Sequence, residues 1–317
     1  MRVLITGASG FAGGYLARAC AAAGDQVVGL SRRGTLPAQS GESRVLDLLD
    51  ADALRDVVRE QRPEVIYHLA ALSSVGRSWE EPAATVNHNV ASAVNVLEAV
   101  RLDAPSTRVV WVSSCEVYGA PQQLPVREDA PVDPANPYAV SKTAGDLLAG
   151  VYRDAHGLEI VRARPFSHTG PGQLPTFLAA SLARQAAEAK VTGAEKARIV
   201  TGNPDTRRDF TDVRDIARAY RLLADRADAA VYNVCTGHSI STSEQVQLLG
   251  DLIDPIHVEH IVDPARVRAH EVMDLRGSGD RLRTATGWKP EIPFKQTMAD
   301  AIDWWVQQLT SASAVRH

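Results

Sequence analysis

At 317 residues the chain can bury a full core and exceeds the usual single-domain size, so one large or two intimately joined domains are expected. Its 45 % hydrophobic and 23 % charged content is ordinary for a soluble globular protein, and a net charge of −4 argues against nucleic acid or an anionic membrane as partner. Cys20, Cys115 and Cys235 are too few and too scattered for a disulfide framework or a metal knuckle, and no apolar run is long enough to span a bilayer.

Arg2 to Thr6 reads directly as a strand, without a signal peptide, so a cytoplasmic location is expected. A glycine-rich turn follows, with Gly7, Gly10 and Gly13, and then a helical pattern through Leu16, Ala17 and Cys20. Glycines at this spacing let the backbone approach a pyrophosphate, whose charge rests at the helix N-terminus. The second strand, Gln26 to Leu30, ends in Ser31-Arg32-Arg33 rather than in an acid. An acid there would bind the ribose of NAD, whereas arginine accommodates the 2′-phosphate of NADP, so NADP(H) is favoured over NAD(H).

Arg44 to Leu46 is read as a third strand, with Asp47-Leu48 after it, and Ala51 to Arg59 as a helix. Glu64 to Tyr67 leads into His68-Leu69-Ala70-Ala71, a small-residue corner that leaves room for a cofactor. His68 itself is read as a core histidine. A long helix spans Ala83 to Leu102, with one of its asparagines expected to hold a backbone group near the site. The buried strand Arg108 to Val112 then releases Ser113 and Ser114 into the crevice at the sheet's carboxyl edge.

Asn136-Pro137 has the chemistry of an N-cap and first helical residue, which puts Tyr138 and Lys142 on one helix face at i and i+4. A cation beside a phenol favours the phenolate, so the pair reads as an acid/base with Lys142 lowering the tyrosine pKa. Ser114, 24 residues before Tyr138, completes a constellation for moving a hydride and a proton at a carbon bearing oxygen. Beyond it, Glu159 to Arg164 is a strand with a turn-rich exit, Leu174 to Lys190 a helix, Val213 to Leu223 a helix and Val231 to Cys235 a strand. Helices near Ser243 to Leu252 and Phe294 to Leu309 complete the chain. Trp288, Trp304 and Trp305 read as core, and His257 and His260 lack the further ligands a metal needs.

The motifs TGASGFAGG, HLAA, SSCEVYG, YAVSK, RPFSHTGPGQ, RRDFTDVRD and YNVCTG together resemble the extended short-chain dehydrogenases/reductases, the class of nucleotide-sugar reductases, dehydratases and epimerases. Within that class they are most similar to GDP-4-keto-6-deoxymannose reductases and GDP-mannose 4,6-dehydratases. The resemblance implies an α/β fold: a Rossmann doubly wound parallel sheet and a smaller, mainly C-terminal α/β domain. Residues 1–165, with segments near 210–236, would bind NADP(H), and residues 166–317 the nucleotide sugar. Ser114, Tyr138 and Lys142 would be catalytic, with Glu116 beside them. Gly7, Gly10, Phe11, Gly13, Arg32, Asp47, Leu48, Leu69, Ala70, Ala71, Pro165 and His168 would join Tyr138 and Lys142 around the cofactor. Ser73, Ser114, Ser167, Arg208, Arg268 and Glu271 would bind substrate. Ser167 stands where the family usually has asparagine, and Ala269 where it usually has proline.

The resemblance leaves the reaction open between NADPH-dependent reduction of a GDP-4-keto-6-deoxyhexose, which is favoured, 4,6-dehydration with Glu116 as base, and C4 epimerisation. A cofactor-binding regulatory subunit is the non-enzyme alternative, disfavoured by the intact Ser114, Tyr138 and Lys142. A homodimer through the long helix and the Tyr138 helix is expected, with a nucleotide sugar as ligand and no metal.

Overall fold

The computed structural model describes residues 1–32, 34–267 and 271–314. In chain order the elements are β1 (Arg2–Thr6), α1 (Phe11–Ala22), β2 (Gln26–Ser31), β3 (Glu42–Val45), α2 (Ala51–Gln61), β4 (Val65–His68), α3 (Val75–Glu80), α4 (Pro82–Asp103), β5 (Arg108–Val112), α5 (Pro137–His156) and β6 (Ile160–Pro165). There follow β7 (Ser167–Thr169), α6 (Leu178–Thr192), β8 (Lys196–Thr201), β9 (Arg207–Asp212), α7 (Val213–Arg226), β10 (Val231–Val234), β11 (Ser239–Ser241), α8 (Thr242–Ile253), β12 (His257–Val262), β13 (Asp274–Leu275), α9 (Asp280–Thr286) and α10 (Phe294–Ala314).

One compact unit comprises Met1–Phe166, Ile216–Val234 and Gly277–Lys289. Its seven strands run in the order β10-β6-β5-β4-β1-β2-β3, every pair parallel. This is the doubly wound Rossmann order, and its near-continuous apolar strands follow from burial on both faces. Val3, Ile5, Val110, Val112 and Val161 pack with α1 and α7 on one face. Leu4, Val28, Ile66, Val109 and Trp111 pack with α2, α4 and α5 on the other. The strand order reverses beside β1, between β1 and β4, which places the crevice for a dinucleotide at the carboxyl ends of those strands.

The second unit comprises Ser167–Asp215, Cys235–Arg276 and Pro290–His317. Here β9 is flanked by antiparallel β11 and parallel β13 and also pairs with β7, while β8 and β12 form a separate parallel pair. The alanine-rich face of α6 packs with Leu249 of α8 and Met298 and Ile302 of α10 in its core.

The expected helix from Leu174 starts instead at Leu178, capped by Phe177. Pro175 disfavours helical geometry at Leu174 before it, so the segment forms a turn first. Trp288 is buried in the first unit and Trp305 packs against the core of the second. Among the described residues no helix is long and apolar enough to cross a membrane.

Candidate active site

The site is built on the start of α5. Asn136 is the N-cap, its Oδ1 accepting from the Ala139 amide at 2.8 Å, and Pro137 fills the first turn, where no intrahelical donor is needed. Lys142 therefore lies one turn beyond Tyr138, and both side chains are buried.

Ser114 leaves β5 as the cap of a single 3-10 turn, Cys115–Tyr118, where its hydroxyl accepts from the Glu116 amide at 3.2 Å. The same hydroxyl acts on the Tyr138 phenol, favouring its ionised form. The structure thus brings Ser114 and Glu116 to Tyr138, with Lys142 one helical turn further on.

Their electrostatics differ from the sequence expectation that Lys142 lowers the tyrosine pKa. Burial pushes the Tyr138 phenol well above its ordinary value; the Ser114 hydroxyl opposes that rise, and Glu116 and Cys115 add to it. The Lys142 ammonium donates to the Val112 carbonyl at 2.5 Å, and burial draws its pKa down to about 8 against a smaller opposing effect of Asp146. Removing a cation from water outweighs what its neighbours return. In this protein, therefore, the phenol is held protonated and the ammonium is the group that titrates near neutrality.

The walls around Lys142 are also ordered. Asn89 of α4 accepts from Leu72 N at 2.8 Å, donates to Leu72 O at 3.2 Å and donates to Ser141 Oγ at 2.9 Å, tying the loop after β4 to α5. His68 bonds Thr6 Oγ1 through Nδ1 at 2.9 Å and stacks on Trp111 with centroids 4.4 Å apart. Burial lowers its pKa to about 3, so it is a neutral core ring. A cavity of about 10 Å³ lies among His68, Asn89, Ser141 and Lys142. Asn89 was one of several asparagines on its helix, and periodicity alone could not select it.

On the other side of the crevice the glycine turn has a cradle's shape. Gly7 has φ +71°, and a Cβ there would come within 2.9 Å of Ala70 Cα. Gly13 packs its α-carbon so close to the Gly7 carbonyl that a Cβ would overlap it. The N-cap of α1 is Gly10, with no side-chain cap and no acid in the first turn, so the turn opens onto amides that have no intrahelical partner. Leu69 N donates to Thr6 O and Ala70 N to Thr6 Oγ1, which fixes the small-residue corner against this turn. A turn that side chains would fill, with Phe11 at the helix start, fits a dinucleotide pyrophosphate.

Arg32 is exposed after β2, and Asp47, also exposed, accepts from the Leu49 amide, while Leu48 is buried. Arg32 and Asp47 both act electrostatically on His88 of α4, a neighbour that the strand-end motif did not reveal. Ala71 lines the small cavity, Ser73 is exposed in the following loop, and Pro165 ends β6 in the buried sheet. In the second unit Ser167 and His168 lie on β7, with the His168 carbonyl accepting from Gln173. Arg208 is half-buried on β9 and donates to the carbonyls of Arg207 and Val272, each at 2.8 Å, and Glu271 is half-buried. Arg33, Arg268 and Ala269 lie outside the described residues.

With this geometry in hand, comparison with known proteins is decisive about lineage. Residues 4–301 match the family model described as GDP-mannose 4,6 dehydratase. The chain belongs to the NAD-dependent epimerase/dehydratase family of extended short-chain dehydrogenases/reductases. It is 38 % identical to the GDP-6-deoxy-D-mannose reductase of Pseudomonas aeruginosa, over 96 % of this chain and 97 % of that one. It is 32 % identical to the UDP-glucose 4-epimerase of Mycolicibacterium smegmatis, over 96 % and 98 %. The structure of RMD from Pseudomonas aeruginosa complexed with NADPH superposes with a TM-score of 0.85 at 36 % identity, covering 97 % of this chain and 98 % of that one. As a family member the protein is a nucleotide-sugar oxidoreductase that uses a nicotinamide cofactor.

Proposed function

We propose that this epimerase/dehydratase-family enzyme reduces the C4 ketone of a GDP-4-keto-6-deoxyhexose, with NADPH as cosubstrate. The observation that supports this reading best is the buried Ser114–Tyr138 pair on a chain similar, end to end, to a GDP-6-deoxy-D-mannose reductase. The unit containing β1 to β6 is read as the cofactor domain and the other as the nucleotide-sugar domain. Gly7, Gly10 and Gly13 would face the pyrophosphate, Arg32 the 2′-phosphate, Asp47 and Leu48 the adenosine, and Lys142 the nicotinamide ribose.

Bound there, a reduced nicotinamide supplies a hydride. The chain supplies the proton and the orientation: Ser114 donates to the C4 oxygen, and Tyr138, kept protonated by burial, delivers its proton there as the alkoxide forms. The product is the C4 alcohol, and solvent returns a proton to Tyr138. Ser167, Arg208, Arg268 and Glu271 are read as substrate-binding, the arginines toward the diphosphate. Pro165 and His168 are read toward the nicotinamide.

Glu116 gives a specific reason to retain dehydration as the second reading, since its carboxylate acts on Tyr138 and its amide donates to Ser114. A dehydratase would convert GDP-mannose to a 4-keto sugar with no cofactor added. The reductase reading expects none by mass spectrometry, and its appearance would transfer the role of base to Glu116.

Lys142 makes the reading pH-dependent. As pH rises through about 8 the ammonium loses the charge that would hold the ribose, so NADPH affinity is expected to fall. From about pH 8 to about 10.4 the unfolded chain keeps this proton while the folded chain has lost it, so stability from this group rises as affinity falls. Fluorescence titration of NADPH from about pH 7 to about pH 9 checks this; a flat affinity would exclude Lys142 as the titrating contact.

Assembly follows the same reading. Val140, Leu147 and Val151 on α5 are 45 %, 54 % and 58 % exposed and fall on one helix face at i, i+7 and i+11. We read this stripe, with the neighbouring α4, as a homodimer contact. Light scattering is expected to give a dimer for the protein and a monomer for Leu147→Glu/Val151→Glu; a monomeric parent protein would remove the assignment.

A further inference from the structure

Both ends of the Asn136 amide are engaged. Its Oδ1 caps α5 through the Ala139 N–H at 2.8 Å, and its Nδ2 donates to Glu116 Oε2 at 3.0 Å. Only one orientation of the amide satisfies a donor on one side and a carboxylate on the other. The cap alone does not require asparagine, because serine and aspartate cap helices as well. Serine, however, has no second arm, and aspartate would set a carboxylate against a carboxylate. The residue type at 136 is therefore specified by Glu116 as much as by the helix.

Glu116 and Ser114 share the turn after β5, where Ser114 Oγ accepts from Glu116 N, and both act on Tyr138, two residues beyond Asn136. The Asn136–Glu116 bond thus ties the serine turn to the tyrosine helix beside the pair read as meeting the sugar.

We propose that Asn136 is a positioning residue that acts through Glu116, holding the carboxylate beside Tyr138 so that Ser114 and Tyr138 meet the sugar oxygen in one fixed arrangement. The proposal rests on the reading of Ser114 and Tyr138 as the proton-handling pair. Held this way, the negative charge also favours the protonated phenol, the form a reductase needs. The groups acting on Tyr138 from the elements around it are Ser114, Cys115 and Glu116 of the β5 turn, and Tyr220 of α7 is electrostatically coupled to it.

The test is a double-mutant cycle on Asn136→Ser, which keeps a capping hydroxyl and removes the amide, and Glu116→Ala, which removes the acceptor, read on both the urea unfolding midpoint and turnover of GDP-4-keto-6-deoxymannose with NADPH. Each single variant is expected to lower kcat about tenfold with little change in KM. The double variant is expected to be no worse than Glu116→Ala alone in kcat, and its urea midpoint no lower than that of the weaker single variant. Multiplying kcat effects, or an Asn136→Ser enzyme with the kcat of the parent, would overturn the proposal and leave Asn136 a helix cap. Independent, additive shifts in the urea midpoint would overturn it whatever the activity. Coupled midpoints in a parent protein that never turns over this sugar would instead overturn the reductase reading and leave the tether standing.

Discussion

Replacing Tyr138 by phenylalanine is expected to lower kcat by about 10²- to 10⁴-fold while NADPH affinity stays within about twofold. Phenylalanine fills nearly the same buried volume, so the loss is that of one hydroxyl. That hydroxyl interacts with Ser114, whose oxygen still accepts from the Glu116 amide in the variant, so the cost to stability is at most about 1 kcal/mol. The effect on rate is larger because the phenol would be the proton source, next to the hydroxyl that would polarise the ketone. Burial holds it protonated across neutral pH, and an alkaline limb in the parent's profile is expected near the Lys142 value of about 8 rather than from the phenol. Steady-state rates and a cofactor titration separate these terms. A variant that binds and turns over like the parent would mean that Tyr138 only packs.

The second large effect is on stability. Asp146, one turn beyond Lys142, is buried with Arg164: its Oδ2 receives Arg164 Nη2 at 2.7 Å, Oδ1 receives Arg164 Nε at 3.3 Å, and Arg162 Nη1 adds a longer contact at 3.3 Å. Arg164 also donates to the Tyr118 hydroxyl, which donates to Asn233 of β10, so the pair ties α5 to β6 and the sheet edge. Asp146→Ala would leave two guanidinium groups in the interior without their carboxylate. The expected loss is about 3–5 kcal/mol, read as a lower urea midpoint. Asp146→Asn retains hydrogen-bond acceptance and loses the charge that supports the Lys142 ammonium, so its rate profile is expected to lose activity at lower pH than the parent's. An Asp146→Ala protein as stable as the parent would contradict the role given to this pair.

What the sequence made legible was local. The glycine turn, the Asn136-Pro137 helix start and the serine at the end of β5 each follow from backbone rules that act over a few residues. The shared face of Tyr138 and Lys142 was legible for the same reason. The direction of the Lys142 ammonium was not, since it depends on the Val112 carbonyl across the sheet edge and on burial, which reversed the expected tyrosine shift. The Asn136–Glu116 bond joins residues 20 apart, and Asn89 reaches Ser141 over 52, so neither leaves a periodic trace. Gly277–Lys289 joins the first unit through Ser278, whose amide donates to the Val126 carbonyl, a pairing no local pattern encodes. The parallel pair of β8 and β12 was missed because each strand is short and only half apolar.

The central claim is tested most directly by mixing the purified protein with GDP-4-keto-6-deoxymannose and NADPH and following the loss of reduced-nicotinamide absorbance. Stoichiometric NADPH oxidation with formation of the C4 alcohol, absent in Tyr138→Phe, is the expected result. No NADPH loss with this sugar, in a protein that binds NADPH, would contradict it.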